Sequence, residues 1–195
     1  AIKTDGTKYA IQFYKLYSGS QNFTNCFLGN LGVSSNSTYV ITLADANNKK
    51  VNDIKTIIDG PKTEYLFTFE KNAKGETIAK NVNDGTYWGI NTNNRPSRVQ
   101  DASSAVKVEF QYQEIRTDGE SAFVIYFNGI WLSLNSKSSK YPAARTPTQQ
   151  FQTYYKIYEI IEPKADQVNY KFFDTSDRQI TALAKTGVAI TEGST

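Results

Sequence analysis

The chain is 195 residues long, 39% hydrophobic, 13% aromatic and 21% charged, with a net charge of +3; that is enough for one domain with a well-buried core and short for two. Its 22 Lys and Arg are scattered rather than gathered into the dense basic stripe of a nucleic-acid binder, so no nucleic-acid partner is expected. There is no His, which removes Ser-His-Asp and Cys-His catalysis and His-ligated zinc or iron.

The chain opens on Ala1 and contains no Met, which reads as a processed N-terminus or a boundary. Short segments rich in aromatic and β-branched residues then follow one another. They run Tyr9 to Tyr17, Tyr39 to Leu43, Tyr65 to Phe69, Val106 to Tyr112, Ala122 to Phe127, Ile130 to Leu134 and Tyr154 to Ile161, and each is expected as a strand. Turn clusters separate them: Asn47-Asn48, Asp59-Gly60-Pro61, Asp84-Gly85, Asp118-Gly119 and Asn128-Gly129. Asn-Gly and Asp-Gly suit the left-handed backbone of tight hairpins. The single cysteine, Cys26, allows no intramolecular disulfide, and within Cys26-Phe27-Leu28 it reads as a buried, inert hydrophobe. No segment carries a helical period, and no apolar run approaches the roughly 20 residues that span a bilayer. The expectation is an all-β chain without a membrane span. Asn22-Phe23-Thr24 and Asn36-Ser37-Thr38 fit the N-glycosylation pattern, which has meaning only in a glycosylating host.

An internal repeat organises these strands. Asp84-Gly85-Thr86-Tyr87-Trp88-Gly89-Ile90-Asn91 aligns with Asn128-Gly129-Ile130-Trp131-Leu132-Ser133-Leu134-Asn135 as turn, Gly, aromatic, large apolar, small, aliphatic and Asn. Asn25-Cys26-Phe27-Leu28-Gly29-Asn30-Leu31 is a weaker copy. A second repeated element begins at Tyr65, Val108 and Tyr154, which makes three units of roughly 45 residues. Over about residues 8 to 162 the pattern resembles the β-trefoil superfamily, and loosely the ricin-B-like lectin domains. Their Gln-x-Trp signature is missing here: Gln149-Gln150-Phe151 is the nearest approach. The resemblance implies a β-trefoil over residues 1–162, with residues 163–195 as a C-terminal extension of the same domain. Strands are expected there at Val168 to Phe173 and Gln179 to Ile190, and a β-sandwich is the competing architecture.

Strand alternation places Leu28, Trp88 and Leu132 on one face, with Ile90 and Leu134, and Phe27, Tyr87 and Trp131 on the other. The first face is expected as core. On the second, Tyr87 and Trp131 are either platforms for a sugar ring or packing beneath nearby loops. Asp84, Asn91 and Asn135 are candidate polar partners for a ligand, or turn residues chosen for backbone geometry. The resemblance to ricin-like lectins implies a set of Asp, aromatic platform and Asn that Asp84, Tyr87 and Asn91 match loosely. Two long loops, Thr92 to Ala105 and Ser136 to Gln150, carry Arg95, Arg98, Lys140, Tyr141 and Arg145, which suit docking on a protein or a purely connecting role. Glu64, Glu70, Glu109, Glu114 and Glu159 form no recognisable catalytic pair, and no phosphate-binding or calcium loop occurs.

The sequence therefore points to a secreted or cell-surface recognition domain, not an enzyme, with no cofactor and no metal. Its expected partner is a glycan; the alternative is an extracellular protein engaged by a protease inhibitor, adhesin or secreted effector through the long loops. The oligomeric state is left open.

Overall fold

The computed structural model describes residues 2–31, 41–60, 62–114 and 121–161, with the backbone of 170–173 and 179–181. The Asn36 sequon, the Asp118-Gly119 turn and the rest of the tail lie outside the described residues. The fold is all-β, an antiparallel sheet nearly closed into a barrel. Its strands are β1 (Lys8–Leu16), β2 (Phe67–Lys71), β3 (Thr77–Asn81), β4 (Tyr87–Ile90), β5 (Pro96–Val99), β6 (Val108–Glu114), β7 (Ser121–Phe127), β8 (Ile130–Ser133), β9 (Ala143–Ala144) and β10 (Thr153–Ile160).

Six of these form the barrel wall. β1 pairs with both β2 and β10, β2 with β3, β10 with β7, and β7 with β6. β6 then packs beside β3, which brings the circuit round. The period-two pattern of β1 shows why the wall forms: Tyr9, Ile11 and Phe13 enter the core, and Ala10, Gln12 and Tyr14 face outward. A bulge between Phe13 and Lys15 shifts the register so that Leu16 also turns inward.

Two hairpins, β4–β5 and β8–β9, and an isolated bridge between Gly29 and Thr42 lie beside the barrel. In the second unit Gly89 opposes Ser97, in the third Ser133 opposes Ala143, and in the first Gly29 opposes Thr42 through an isolated bridge. The first segment of each meets the preceding barrel strand through Phe27 with Gln12, Tyr87 with Lys80, and Trp131 with Tyr126. Antiparallel pairing thus recurs at the aligned positions Phe27 and Gly29, Tyr87 and Gly89, and Trp131 and Ser133. Leu28, Trp88 and Leu132 fill the core as expected, each no more than 1% exposed. Trp88 anchors it, edge-on to Phe67 at 5.0 Å between ring centroids and 6.3 Å from Phe127.

Three local readings differ from the structure. The stretches 92–105 and 136–150 are not loops throughout, because β5 and β9 lie within them as the return strands of hairpins. Pro-Ser-Arg-Val and Ala-Ala are too short and too polar or small to announce strands; pairing with β4 and β8 creates them. A helix, α1 (Ile54–Asp59), also forms, capped by Asp53, whose Oδ1 accepts the Lys55 N–H at 3.0 Å. At six residues it shows no period to detect. Ile54 and Ile57 of α1, with Val51, Tyr65 and Leu66, form a second apolar cluster over Ala10 and Phe27. Phe27, expected on the outer face, is therefore fully buried.

Part of the tail joins the same sheet. β11 (Tyr170–Phe173) pairs with β10 at Tyr158 to Ile160, beyond the point where β7 has ended, and β12 (Gln179–Thr181) pairs with β11. Cys26 is buried in the core, which raises its thiol above the ordinary range. No helix among the described residues is long and apolar enough to cross a membrane.

Candidate functional site

The expected site residues do not converge on one place; they divide among three. The first is an aromatic face on the outside of the barrel. β7 and β10 turn Ala122, Val124 and Tyr154 outward, and these are buried under Tyr14, Tyr17, Tyr126 and Trp131, which remain partly exposed. Trp131 lies opposite Tyr126 across the β7–β8 ladder, with ring centroids 5.9 Å apart and planes tilted by 58°. Lys156 Nζ stands 4.1 Å from the centre of the Tyr14 ring, and the Tyr154 hydroxyl donates to Gln152 Oε1 at 3.2 Å. The result is a half-exposed aromatic surface with ammonium and amide groups among its rings. Of the expected ligand residues, Trp131 alone belongs to it. Tyr14, Tyr17, Tyr126 and Tyr154 were missed as a group; the outward positions of Tyr14, Tyr126 and Tyr154 on β1, β7 and β10 were the available signal, with Tyr17 just past the end of β1.

The second place is a polar junction between the first and second units. Asp84 Oδ1 accepts from the Thr86 N–H at 3.0 Å and the Thr86 hydroxyl at 2.7 Å. Its Oδ2 accepts from Asn30 Nδ2 at 2.9 Å and lies 3.5 Å from Arg98 Nε. Arg98 Nη2 in turn donates to Asn30 Oδ1 at 2.9 Å, closing a ring of three side chains. Partial burial raises the Asp84 carboxyl, but the Thr86 and Asn30 donors and the Arg98 charge outweigh it and hold the group below the ordinary carboxylate value. Tyr87, on the adjacent strand, lies under Lys80 Nζ at 5.5 Å from its ring centre. The neighbouring Glu70 carboxylate, with some burial, pushes its phenol up to about 12.

The third place is where the end of the β4–β5 hairpin meets that of the β8–β9 hairpin. Asn91 Oδ1 accepts the N–H groups of Asn93 and Arg95, at 2.8 and 3.1 Å, so this residue shapes its own turn. Arg95 Nη1 donates to the Tyr141 carbonyl at 3.1 Å, and the Ala144 N–H donates to the Asn94 carbonyl at 2.9 Å. Lys140 Nζ donates to the Asp45 carbonyl at 2.7 Å and Asn48 Oδ1 at 2.9 Å. Arg95 and the Tyr141 backbone therefore join the β4–β5 hairpin to the β8–β9 hairpin, and Lys140 ties the latter to the Asp45 turn. Arg145 and Asn135 are exposed; the Arg145 N–H donates to the Trp131 carbonyl at 2.9 Å.

Beside the Asn30 junction lies a cleft of about 600 Å³, walled by residues of the α1 segment and by Asn30, Leu31 and Asn83. No local motif marked it, because its lining comes from four separated stretches of chain. Comparison of the sequence with protein-family models gives no match, and neither does comparison with curated proteins.

Proposed function

We propose that this chain is a β-trefoil recognition domain, secreted or at the cell surface, that binds carbohydrate on the aromatic face around Trp131 and is not an enzyme. The architectural part of the reading is supported by the six-strand circuit and by antiparallel pairing at the aligned positions Gly29, Gly89 and Ser133. The functional part rests on one observation: Trp131 and Tyr126 stay partly exposed while packing at 5.9 Å over a buried apolar base. Rings fixed in this way present a rigid apolar surface to the C–H face of a sugar at little cost in side-chain entropy. Gln152 and Lys156 supply the polar neighbours that sugar hydroxyls require. The exposed Asn22 fits the extracellular setting.

The protein-docking alternative is weaker, because Arg95, Arg98 and Lys140 already serve internal contacts. The test is a glycan array with the full chain and with Trp131→Ala. Selective binding that the variant loses, and that free monosaccharide competes away at millimolar concentration, is the expected result. A blank array, with Arg145→Ala weakening capture of an extracellular protein, would overturn the carbohydrate reading in favour of docking.

A further inference from the structure

The exposed rings of the aromatic face fall in one row across the sheet. Tyr126 on β7 lies opposite Trp131 on β8. Counting antiparallel from the Tyr155–Phe123 pair of β10 and β7 brings Gln152, just before β10, to the level of Tyr126. The Tyr17 N–H, just past the end of β1, donates to the Gln152 carbonyl at 2.9 Å. Tyr17, Gln152, Tyr126 and Trp131 thus follow one another at right angles to the strands. Three inter-strand spacings separate the ends of the row, about 14 Å.

All four residues are partly exposed, and the three rings rest on the buried base of Ala122, Val124 and Tyr154. Tyr14 stands apart from them, because Lys156 Nζ lies 4.1 Å from its ring centre and takes one side of the ring. The polar group within the row is the Gln152 amide. Its Oε1 accepts from the Tyr154 hydroxyl at 3.2 Å, and its Nε2 has no acceptor among the described residues. None of the four side chains is charged. A single pyranose ring covers only part of such a row. The 5.9 Å between the Tyr126 and Trp131 ring centres is close to the advance of one unit along an extended β-1,4-linked chain, whereas an α-1,4-linked chain curves away.

We propose that the aromatic face takes an extended, unbranched and uncharged oligosaccharide laid along this row, with successive sugar rings over Trp131, Tyr126 and Tyr17 and a hydroxyl on Gln152 Nε2. The inference rests on the carbohydrate reading of this face and adds chain length and shape to it. The experiment is calorimetric titration of the full chain with glucose, cellobiose, cellotetraose and maltotetraose. Cellotetraose is expected to bind about tenfold tighter than cellobiose, with glucose and maltotetraose weaker than both. Tyr17→Ala should bring cellotetraose down to the cellobiose level, and Trp131→Ala should weaken both sugars. Tyr112→Ala, which removes an exposed ring on β6 outside the face, should leave both unchanged. Equal affinity for cellobiose and cellotetraose, maltotetraose binding as tightly as cellotetraose, or cellotetraose binding insensitive to Tyr17→Ala would each overturn the proposal. If none of these sugars binds while the glycan array returns another ligand that Trp131→Ala loses, the proposal falls and the carbohydrate reading stands; a blank array removes both.

Discussion

Gly89 and Val99 stand so close across the β4–β5 hairpin that a Cβ added to Gly89 would lie 2.4 Å from Val99 Cγ1. The hairpin strand in the second unit must therefore lack a side chain at this point, whatever its strand propensity. Gly89→Ala is expected to destabilise the protein by about 1–3 kcal/mol, the usual cost of overpacking. The double variant Gly89→Ala, Val99→Ala should recover part of that loss, since the clash partner is gone. Urea midpoints decide it: an unchanged midpoint in Gly89→Ala would mean that Val99 yields freely.

Trp88 occupies the barrel core with its indole Nε1 buried and without a hydrogen-bond partner among the described residues. Two opposed terms follow. Removing the ring costs packing, while removing the stranded N–H recovers a desolvation penalty of about 1–3 kcal/mol. Trp88→Ala should lose about 3–5 kcal/mol. Trp88→Phe should lose much less, because it keeps the edge-on contact with Phe67 and discards the orphaned donor. Equal losses in the two variants, measured by denaturant unfolding, would show that the N–H is satisfied in solution.

The ring of Asn30, Asp84 and Arg98 ties the first unit to the second and gives acid stability a specific source. The folded Asp84 carboxyl lies below its ordinary value. Its stabilisation is therefore present above the unfolded value and is lost as pH falls through the folded one. Melting temperature should drop below about pH 4, and Asp84→Asn should show a shallower drop over that range. At neutral pH, Arg98→Ala should cost no more than about 1 kcal/mol, because the pair is partly exposed. Identical acid slopes for wild type and Asp84→Asn would assign the effect to other carboxylates.

At the alkaline end tyrosines dominate. Burial, with the Glu64 charge, pushes Tyr65 up to about 12, and burial raises Tyr155 further, its hydroxyl donating to the Leu132 carbonyl at 2.9 Å. A raised folded value favours the native state fully below the unfolded value near 10, and that advantage is lost as pH climbs through the folded values. Phenolate absorbance should rise in two stages above about pH 10, first for exposed rings and then together with loss of the near-ultraviolet circular dichroism. A single smooth titration with the fold intact would contradict the burial of Tyr65 and Tyr155.

The all-β character and the inward face of the barrel were legible in the residues themselves. Leu28, Trp88 and Leu132 align in sequence and are buried in the structure, because alternation along a strand is a local, period-two property. What covers the opposite face is not local. Phe27, Tyr87 and Trp131 hold equivalent positions, yet the α1 segment buries Phe27 and leaves the other two partly exposed. The cations show the same limit. Arg95 and Lys140 look like docking groups in sequence, and the structure spends them on carbonyls 46 and 95 residues away. The aromatic face is assembled from β1, β7, β8 and β10, and the cleft from four stretches no single motif spans. The sequence by itself determined which side chains turn toward the core; only the tertiary structure decided which outward ones meet, because that depends on barrel closure and on which distant segment lies across each face.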